Sequence, residues 1–193
     1  MNAGVPPITI VSGLPRSGTS LMMQMLSAGG MPVLSDGFRT ADEDNPRGYL
    51  EYEPVKRSRQ DSSWVAAAPG KAVKVVHLLL PDLPANYAYQ VILMRRPVQE
   101  ILKSQRAMLD RAGRRGAAIP ADLLARAFEQ QLSQLGAWLA NQQHFRAIEI
   151  EYRECVFNSP SAAASVNRFL GGSLDEGAMA AVPDSSLYRQ RFS

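Results

Sequence analysis

The sequence predicts one α/β domain in which a central parallel sheet is flanked by helices. Apolar runs of strand length alternate with segments of helical periodicity, which is typical of parallel strands joined by crossover helices. The chain has 193 residues, 46% of them hydrophobic and 20% charged, which suits one well-filled core and is too short for two ordinary domains. We therefore expect residues 1–193 to form a single domain.

Three strands and one helix are predicted in the first half of the chain. Residues 8–11 are a β-branched run, and the apolar positions at 21–26 have helical spacing. Residues 29–48 are rich in Gly, Pro, Asp and Asn, which predicts a long surface loop. After a polar helix or loop at 49–60, the apolar runs at 72–76 and 90–94 predict strands that are buried on both faces.

Helices dominate the second half. Pro97 is suited to the first turn of a helix, and a turn at 113–120 separates that helix from a longer one over 122–143. The apolar positions of the longer helix recur three and four residues apart, so we expect them to face the core. They are Leu123, Ala127, Leu132, Leu135, Trp138 and Leu139. A strand at 145–150, a helix at 161–170, a short helix at 174–181 and an irregular tail complete the chain.

Composition argues against nucleic acid and membrane partners. The net charge is only +3, and the arginines that do cluster, at 106, 111, 114 and 115, have no aromatic residues between them, which favours a local anion site over nucleic-acid binding. Lys74 and His77 interrupt the longest apolar stretch well short of the roughly 20 residues that span a membrane. The N-terminus lacks the features of a signal peptide, so we expect a cytoplasmic protein, and Cys155, the single cysteine, should be a buried or partly buried thiol.

A phosphate-binding loop is predicted between the first strand and the first helix. Residues 13–20 read GLPRSGTS, which places a glycine, four residues, a second glycine and then a hydroxyl residue two places later. In such a loop the backbone N–H groups and the helix N-terminus bind an anion. The α/β prediction thereby becomes a three-layer P-loop NTPase-like fold.

The loop departs from the nucleoside-triphosphate pattern at one position. Thr19 stands where the hydrolases carry the lysine that reaches the β- and γ-phosphates. A different cation, Arg16, lies three residues earlier, where it suits an anion of lower charge than a triphosphate.

Several motifs resemble those of sulfotransferases. PRSGTS followed by LMxxML resembles the family's 5′-phosphosulfate loop, most closely that of the Golgi protein-tyrosine sulfotransferases and their bacterial relatives. ILMRRP at 92–97 is similar to the 3′-phosphate motif, in which an arginine at a strand end is followed eight residues later by a serine. Ser104 has that spacing from Arg96. The proline that usually lies two residues after the arginine, here Pro97, would instead favour Arg95; we favour Arg96. EYR at 151–153 and FLG at 169–171 resemble the family's late strand and helix.

The resemblance implies in-line transfer of a sulfonyl group from 3′-phosphoadenosine 5′-phosphosulfate (PAPS) to a hydroxyl or amine acceptor, with a carboxylate as base. PAPS would be a co-substrate, no metal is expected, and the acceptor would be a small molecule or a peptide. The implied contacts on the 5′ side are Arg16, Ser17, Gly18, Thr19 and Ser20, and those on the 3′ side are Arg96 and Ser104.

Arg16 and Lys74 are the candidate catalytic cations. Lys74 resembles the family's lysine near the transferred group, although a lysine at a strand end also commonly reaches solvent. For the base, the resemblance points to Asp36, twenty residues after Arg16, where the tyrosine sulfotransferases carry a glutamate. An aspartate is one methylene shorter and, next to a glycine, is also a common turn residue.

Two acidic residues further along, Glu51 and Glu53, are reserve candidates for the base, and His77 ranks after them.

Two other functions stay open. A P-loop kinase or nucleotide hydrolase is disfavoured by the missing loop lysine and by the lack of a strand that ends in an aspartate for Mg²⁺. A non-catalytic nucleotide-binding or interaction module would keep the pocket without the chemistry.

Overall fold

A four-stranded parallel sheet forms the middle layer of the computed structural model, which describes residues 4–43, 45–114, 116 and 119–189. Arg115, a member of the predicted arginine cluster, lies outside the described residues. The strands are β1 (Ile8–Gly13), β2 (Ala72–Lys74), β3 (Tyr89–Arg95) and β4 (Phe145–Glu151), in the order β2-β1-β3-β4. Each of the four predicted apolar runs contains a strand, although β2 ends at Lys74, two residues before the predicted end at 76.

Helices cover both faces of this sheet. They are α1 (Thr19–Ala28), α2 (Val98–Arg111), α3 (Ala121–Ala140), α4 (Tyr152–Phe157), α5 (Ser159–Leu170) and α6 (Glu176–Ala180). Short 3₁₀ turns occur at Glu53–Arg57, Ser63–Ala67, His77–Asp82 and Ser185–Leu187. The predicted α/β fold with a central parallel sheet flanked by helices is confirmed.

Each face of the sheet contributes to a separate hydrophobic cluster. Ile8 and Ile10 of β1 pack with the C-terminal half of α3 and the first 3₁₀ turns, whereas Val11 packs with α1, α5 and α6. This alternation follows from the two-residue repeat of a strand, and it explains why β1, covered on both sides, is buried at all six positions. The second cluster includes the free thiol of Cys155, whose pKa burial raises to about 12.

Strand order places the phosphate loop at a crevice. The chain leaves β1 towards β2 on one side of the sheet and later returns to β3 on the other side. In open α/β sheets ligands bind beyond the carboxyl ends of the strands at such a switch point. The loop after β1 lies at that place.

The structure corrects one prediction about the core. Leu123 is 50% exposed and Ala127 is also exposed, and the buried positions of α3 are Leu132, Leu135 and Leu139. The helical repeat was correct, but in the first two turns of α3 the residues that pack against a core cluster are Ala125 and Phe128, so Leu123 and Ala127 lie outside the packed face. Among the described residues, none of the helices has the combination of length and hydrophobicity that a membrane span requires.

Candidate functional site

A cleft with a volume of about 510 Å³ opens at the carboxyl edge of the sheet. The loop after β1 borders it, together with the residues that end or follow the other three strands: Lys74 at the end of β2, Arg96 after β3 and Tyr152 after β4. One face of α2 and the tail segment 182–189 contribute further lining residues. Side chains distant in sequence therefore converge at one edge because all four strands are parallel.

Two glycines of the loop are required by its shape. Gly18 has φ +104°, and a Cβ there would lie 2.3 Å from Cδ2 of Tyr152. At Gly13 a Cβ would lie 2.5 Å from Oγ of Ser17 and 2.8 Å from the carbonyl oxygen of Met94. Arg16 also has positive φ, +74°, which is uncommon outside glycine and typical of functional loops.

The N-terminus of α1 faces the cleft. Thr19 and Ser20 line the cleft in its first turn, and no described side chain caps this end of the helix. N–H groups and the helix dipole at such an end attract an anion. Ser17, by contrast, is not a lining residue: its N–H donates to the carbonyl of Leu14 (3.1 Å), and its buried hydroxyl has no hydrogen-bond partner among the described residues.

An ammonium, a hydroxyl and a carboxylate meet beside the loop. Lys74 Nζ donates to Ser20 Oγ (2.9 Å), to the carbonyl of Tyr49 (3.2 Å) and to Glu51 Oε1 (3.3 Å). Burial lowers the pKa of Lys74, and the charge of Glu51 opposes that shift. Glu51 Oε1 also accepts a bond from Arg39 Nη1 (3.1 Å), so two cations hold this carboxylate at the cleft.

The carboxylate of Asp36 is not part of this group, although the Asp36 N–H donates to the carbonyl of Glu51 (3.3 Å). Its Oδ1 accepts the N–H of Phe38 (3.0 Å) and its Oδ2 the N–H of Glu53 (2.7 Å), and Asp36 is not among the cleft-lining residues. The bonds from Glu53 and Phe38 lower the pKa of its carboxyl group. The geometry is that of a turn residue, as its position before Gly37 suggests. Glu53 likewise does not line the cleft, and its carboxylate pairs with Lys56 at 2.6 Å.

Arg96 and Ser104 share the cleft with Arg16. Arg16 Nε donates to Ser104 Oγ (3.0 Å), and Arg96 Nη1 donates to the carbonyl of Arg16 (3.3 Å). Arg95 instead pairs with Glu149 at 3.7 Å and does not line the cleft. Of the two arginines that the sequence offered, Arg96 is therefore the one beside the loop.

Sequence reasoning did not find the aromatic surroundings of Arg96. The guanidinium carbon lies 4.7 Å from the ring centroid of Tyr152 and 5.1 Å from that of Tyr188. Tyr188 belongs to the segment that the sequence presents only as an irregular tail. No local pattern reveals a contact between residues more than 90 positions apart.

His77 is buried, hydrogen-bonds through Nε2 to Gln131 Oε1 (3.1 Å) and does not line the cleft.

The cleft has an apolar wall on the Lys74 side. Tyr52, Val55, Val75 and Leu79 all line it and pack in or against one core cluster. The helix α2 adds Ala107 and Met108 to the cleft lining. They follow Ser104 by three and four residues and so lie on the same face of α2 as Ser104. A ligand that enters between these elements buries apolar surface.

The fold is shared with proteins of known structure. No family model matches the sequence, and no curated protein matches it. Solved structures do: the sulfotransferase domain of the Synechococcus olefin synthase has 18% identity and a TM-score of 0.53, over 93% of this chain and 78% of that one. The chain has the fold of sulfotransferase domains.

Two further sulfotransferase structures agree. The domain from the curacin biosynthetic pathway has 14% identity and a TM-score of 0.53, over 98% of this chain and 93% of that one. A sulfotransferase of Mycobacterium tuberculosis has 16% identity and a TM-score of 0.59, over 96% and 74% of the two chains. The resemblance read from the sequence is confirmed as a sulfotransferase-like fold, and these similarities do not point to the tyrosine sulfotransferases within it.

Proposed function

We propose that this chain is a PAPS-dependent sulfotransferase. The observation that carries the proposal is the bonding of Lys74 to both Ser20 and Glu51 at the phosphate loop. Ser20 stands where P-loop hydrolases use a hydroxyl to bind Mg²⁺. Here that hydroxyl accepts a bond from an ammonium, which supplies positive charge, and a carboxylate suited to a base lies next to it.

The residues of the cleft fit PAPS. Arg16, Ser20 and the N-terminus of α1 form one anion site, and Arg96 with Ser104 form a second, joined to the first through Arg16. Two anion sites suit a nucleotide with a 5′-phosphosulfate and a 3′-phosphate. The volume of about 510 Å³ lies within the usual range for ligand pockets.

The chain's own groups account for the proton and charge movements of such a transfer. PAPS, when bound, supplies the sulfonyl group and the phosphate that leaves. Glu51 accepts the proton of the acceptor hydroxyl or amine, while Lys74 and Arg16 stabilise the negative charge that develops on the leaving oxygen. Once Glu51 is protonated it holds Lys74 less strongly, which leaves the ammonium available to the leaving oxygen.

Glu51 is proposed as the base in place of Asp36. Glu51 lines the cleft 3.3 Å from Lys74, whereas both carboxylate oxygens of Asp36 accept backbone N–H groups outside it. Those bonds also lower the pKa of Asp36 by stabilising its ionised form. The role of base, which the resemblance to sulfotransferases gives to Asp36, is thus proposed for Glu51.

The apolar wall beside Lys74 favours an acceptor whose reactive hydroxyl or amine is carried on an apolar body. Such an acceptor gains affinity from the surface it buries, about 25 cal/mol per Å². A small molecule or the side chain of a peptide can meet this requirement.

Transfer of ³⁵S-labelled sulfate from PAPS to a panel of phenols, alcohols, amines and tyrosine peptides tests the proposal. Thermal-shift titrations with adenosine 3′,5′-bisphosphate and with Mg-ATP accompany it. We expect labelled product and stabilisation by the bisphosphate without magnesium. Preference for Mg-ATP would indicate a kinase or hydrolase, and bisphosphate binding without turnover of any acceptor would indicate a non-catalytic module.

A further inference from the structure

Arg96 is held by a set of groups that do not themselves reach the cleft. Its Nε donates to Glu100 Oε2 (2.9 Å), and the side chains of both residues are at least nine-tenths buried. Tyr188 donates its hydroxyl to both oxygens of the same carboxylate, at 2.8 and 2.7 Å. Neither Glu100 nor Tyr188 lines the cleft, whereas Arg96 does.

Tyr188 is built to remain a hydrogen-bond donor. The residue is 5% exposed, and burial, followed by its bond to Glu100, raises its pKa to about 12. Its ring packs edge to face against Tyr152, with 5.2 Å between centroids, and both rings contact the guanidinium of Arg96. The hydroxyl therefore donates to the carboxylate across the physiological range of pH.

The segment that carries Tyr188 is tied to the loop on the opposite side of the cleft. Arg47 donates to the carbonyl of Val182 and lies 3.7 Å from Asp184. Arg189 Nη1 donates to the carbonyl of Glu43 (3.2 Å). These contacts hold the tail across one side of the cleft.

A buried carboxylate beside Arg96 has two opposing effects on anion binding. It orients the guanidinium, but its charge also offsets the positive charge that a phosphate would meet. A hydroxyl that donates to both carboxylate oxygens stabilises that negative charge and fixes the plane of the carboxylate. Arg96 then keeps one orientation, with its guanidinium beside the phosphate loop.

We propose that Tyr188 and Glu100 are positioning residues that orient Arg96 for the 3′-phosphate of the nucleotide, so that the tail 182–189 takes part in nucleotide selection. This inference rests on the proposed function, since it assumes that Arg96 meets a 3′-phosphate. It adds a residue of the tail to the machinery that distinguishes a 3′,5′-bisphosphate from a 5′-monophosphate.

The test compares two nucleotides by isothermal titration calorimetry. Adenosine 3′,5′-bisphosphate and adenosine 5′-monophosphate are titrated into the unaltered chain and into Tyr188→Phe. We expect Tyr188→Phe to lower the ratio of the two affinities about tenfold, the effect of one hydrogen bond to a charged group, with the monophosphate affinity unchanged. Tyr89→Phe is the matched control, because Tyr89 is also buried and donates to the carbonyl of Pro84 (2.8 Å) away from the cleft.

A second background separates positioning from general stability. Because Tyr188 is proposed to act through Arg96, Tyr188→Phe should cause no further loss of selectivity in an Arg96→Lys chain. Equal weakening of both nucleotides, or an unchanged ratio in a chain that does prefer the bisphosphate, would overturn the positioning role alone. If the unaltered chain shows no preference for the bisphosphate, the proposed function itself fails. Glu100→Gln supplies the same comparison should Tyr188→Phe not fold.

Discussion

Replacing Glu51 by glutamine removes the proposed base with almost no change in shape. Oε1 of Glu51 accepts bonds from Lys74 at 3.3 Å and from Arg39 at 3.1 Å, and an amide oxygen in the same place can still accept them. What is lost is the ability to take up a proton. A positioned general base contributes a factor of about 10²–10⁴ to the rate, so Glu51→Gln should lower kcat by that factor.

Nucleotide affinity should not fall in the same variant. Glu51 carries negative charge next to Lys74, and its neutralisation cannot weaken the attraction of Lys74, Arg16 and Arg96 for phosphate. The assay is transfer of labelled sulfate from PAPS to the best acceptor of the panel at saturating nucleotide, beside a calorimetric titration with the bisphosphate. A loss in kcat with retained affinity is the expected pair of results.

Asp36→Asn is the matched control for this change. It also converts one carboxylate to an amide, but at a position outside the cleft whose oxygens accept the N–H groups of Phe38 and Glu53. We expect kcat within about threefold of the unaltered chain, well below the factor that a general base contributes. The reasoning is refuted if Asp36→Asn loses turnover and Glu51→Gln keeps it.

Two further measurements test the loop and its neighbouring ammonium. Gly18→Ala should lower the free energy of unfolding more than Gly30→Ala does in thermal unfolding. Both glycines have positive φ, which costs alanine about 1–2 kcal/mol, but a Cβ at 18 would also meet the ring of Tyr152 at 2.3 Å, which adds about 1–3 kcal/mol, whereas a Cβ at 30 meets nothing within 4 Å. Equal losses of stability would show that the Tyr152 ring moves aside without cost. Phosphate binding needs protonated Lys74, so bisphosphate affinity should be present below the pKa of Lys74 and lost as pH rises through that pKa. Because burial lowers the pKa of Lys74, this loss of affinity should occur at a lower pH than for an ordinary lysine, whose pKa is near 10.4. Glu51→Gln removes the charge that opposes the shift, so calorimetry over about pH 7–11 should show the loss at a still lower pH, and a midpoint that moves upward would contradict this account.

Local patterns were sufficient for the fold because the decisive signals are short in range. The β-branched run at β1, the glycine spacing of the loop and the helical repeat of α1 each lie within one element, and their order along the chain implies the parallel sheet. The same reasoning failed in the first turns of α3, where Leu123 is exposed. Periodicity shows which residues share a face of a helix, but not how much of that face another element covers.

Only part of the candidate site could be predicted from sequence motifs. Arg16, Ser20, Lys74, Arg96 and Ser104 were identified as cleft residues from motifs and spacing, and the structure places all five in the cleft. The choice between Asp36 and Glu51 was beyond the sequence, because both carboxylates follow plausible motifs. It depends on which of them accepts backbone N–H groups and which meets Lys74.

The amino-acid order alone determines that a phosphate loop lies between a buried strand and a helix, with a threonine at the position of the usual lysine and an arginine three residues before it, since these are properties of contiguous residues. Tertiary packing alone decides that Lys74 bonds to Ser20 and that Tyr188 reaches the partner of Arg96. The physical reason is that hydrogen bonds and ring contacts depend on distances of a few ångströms between residues far apart in the chain. Such distances are set when the strands align and the tail closes on them.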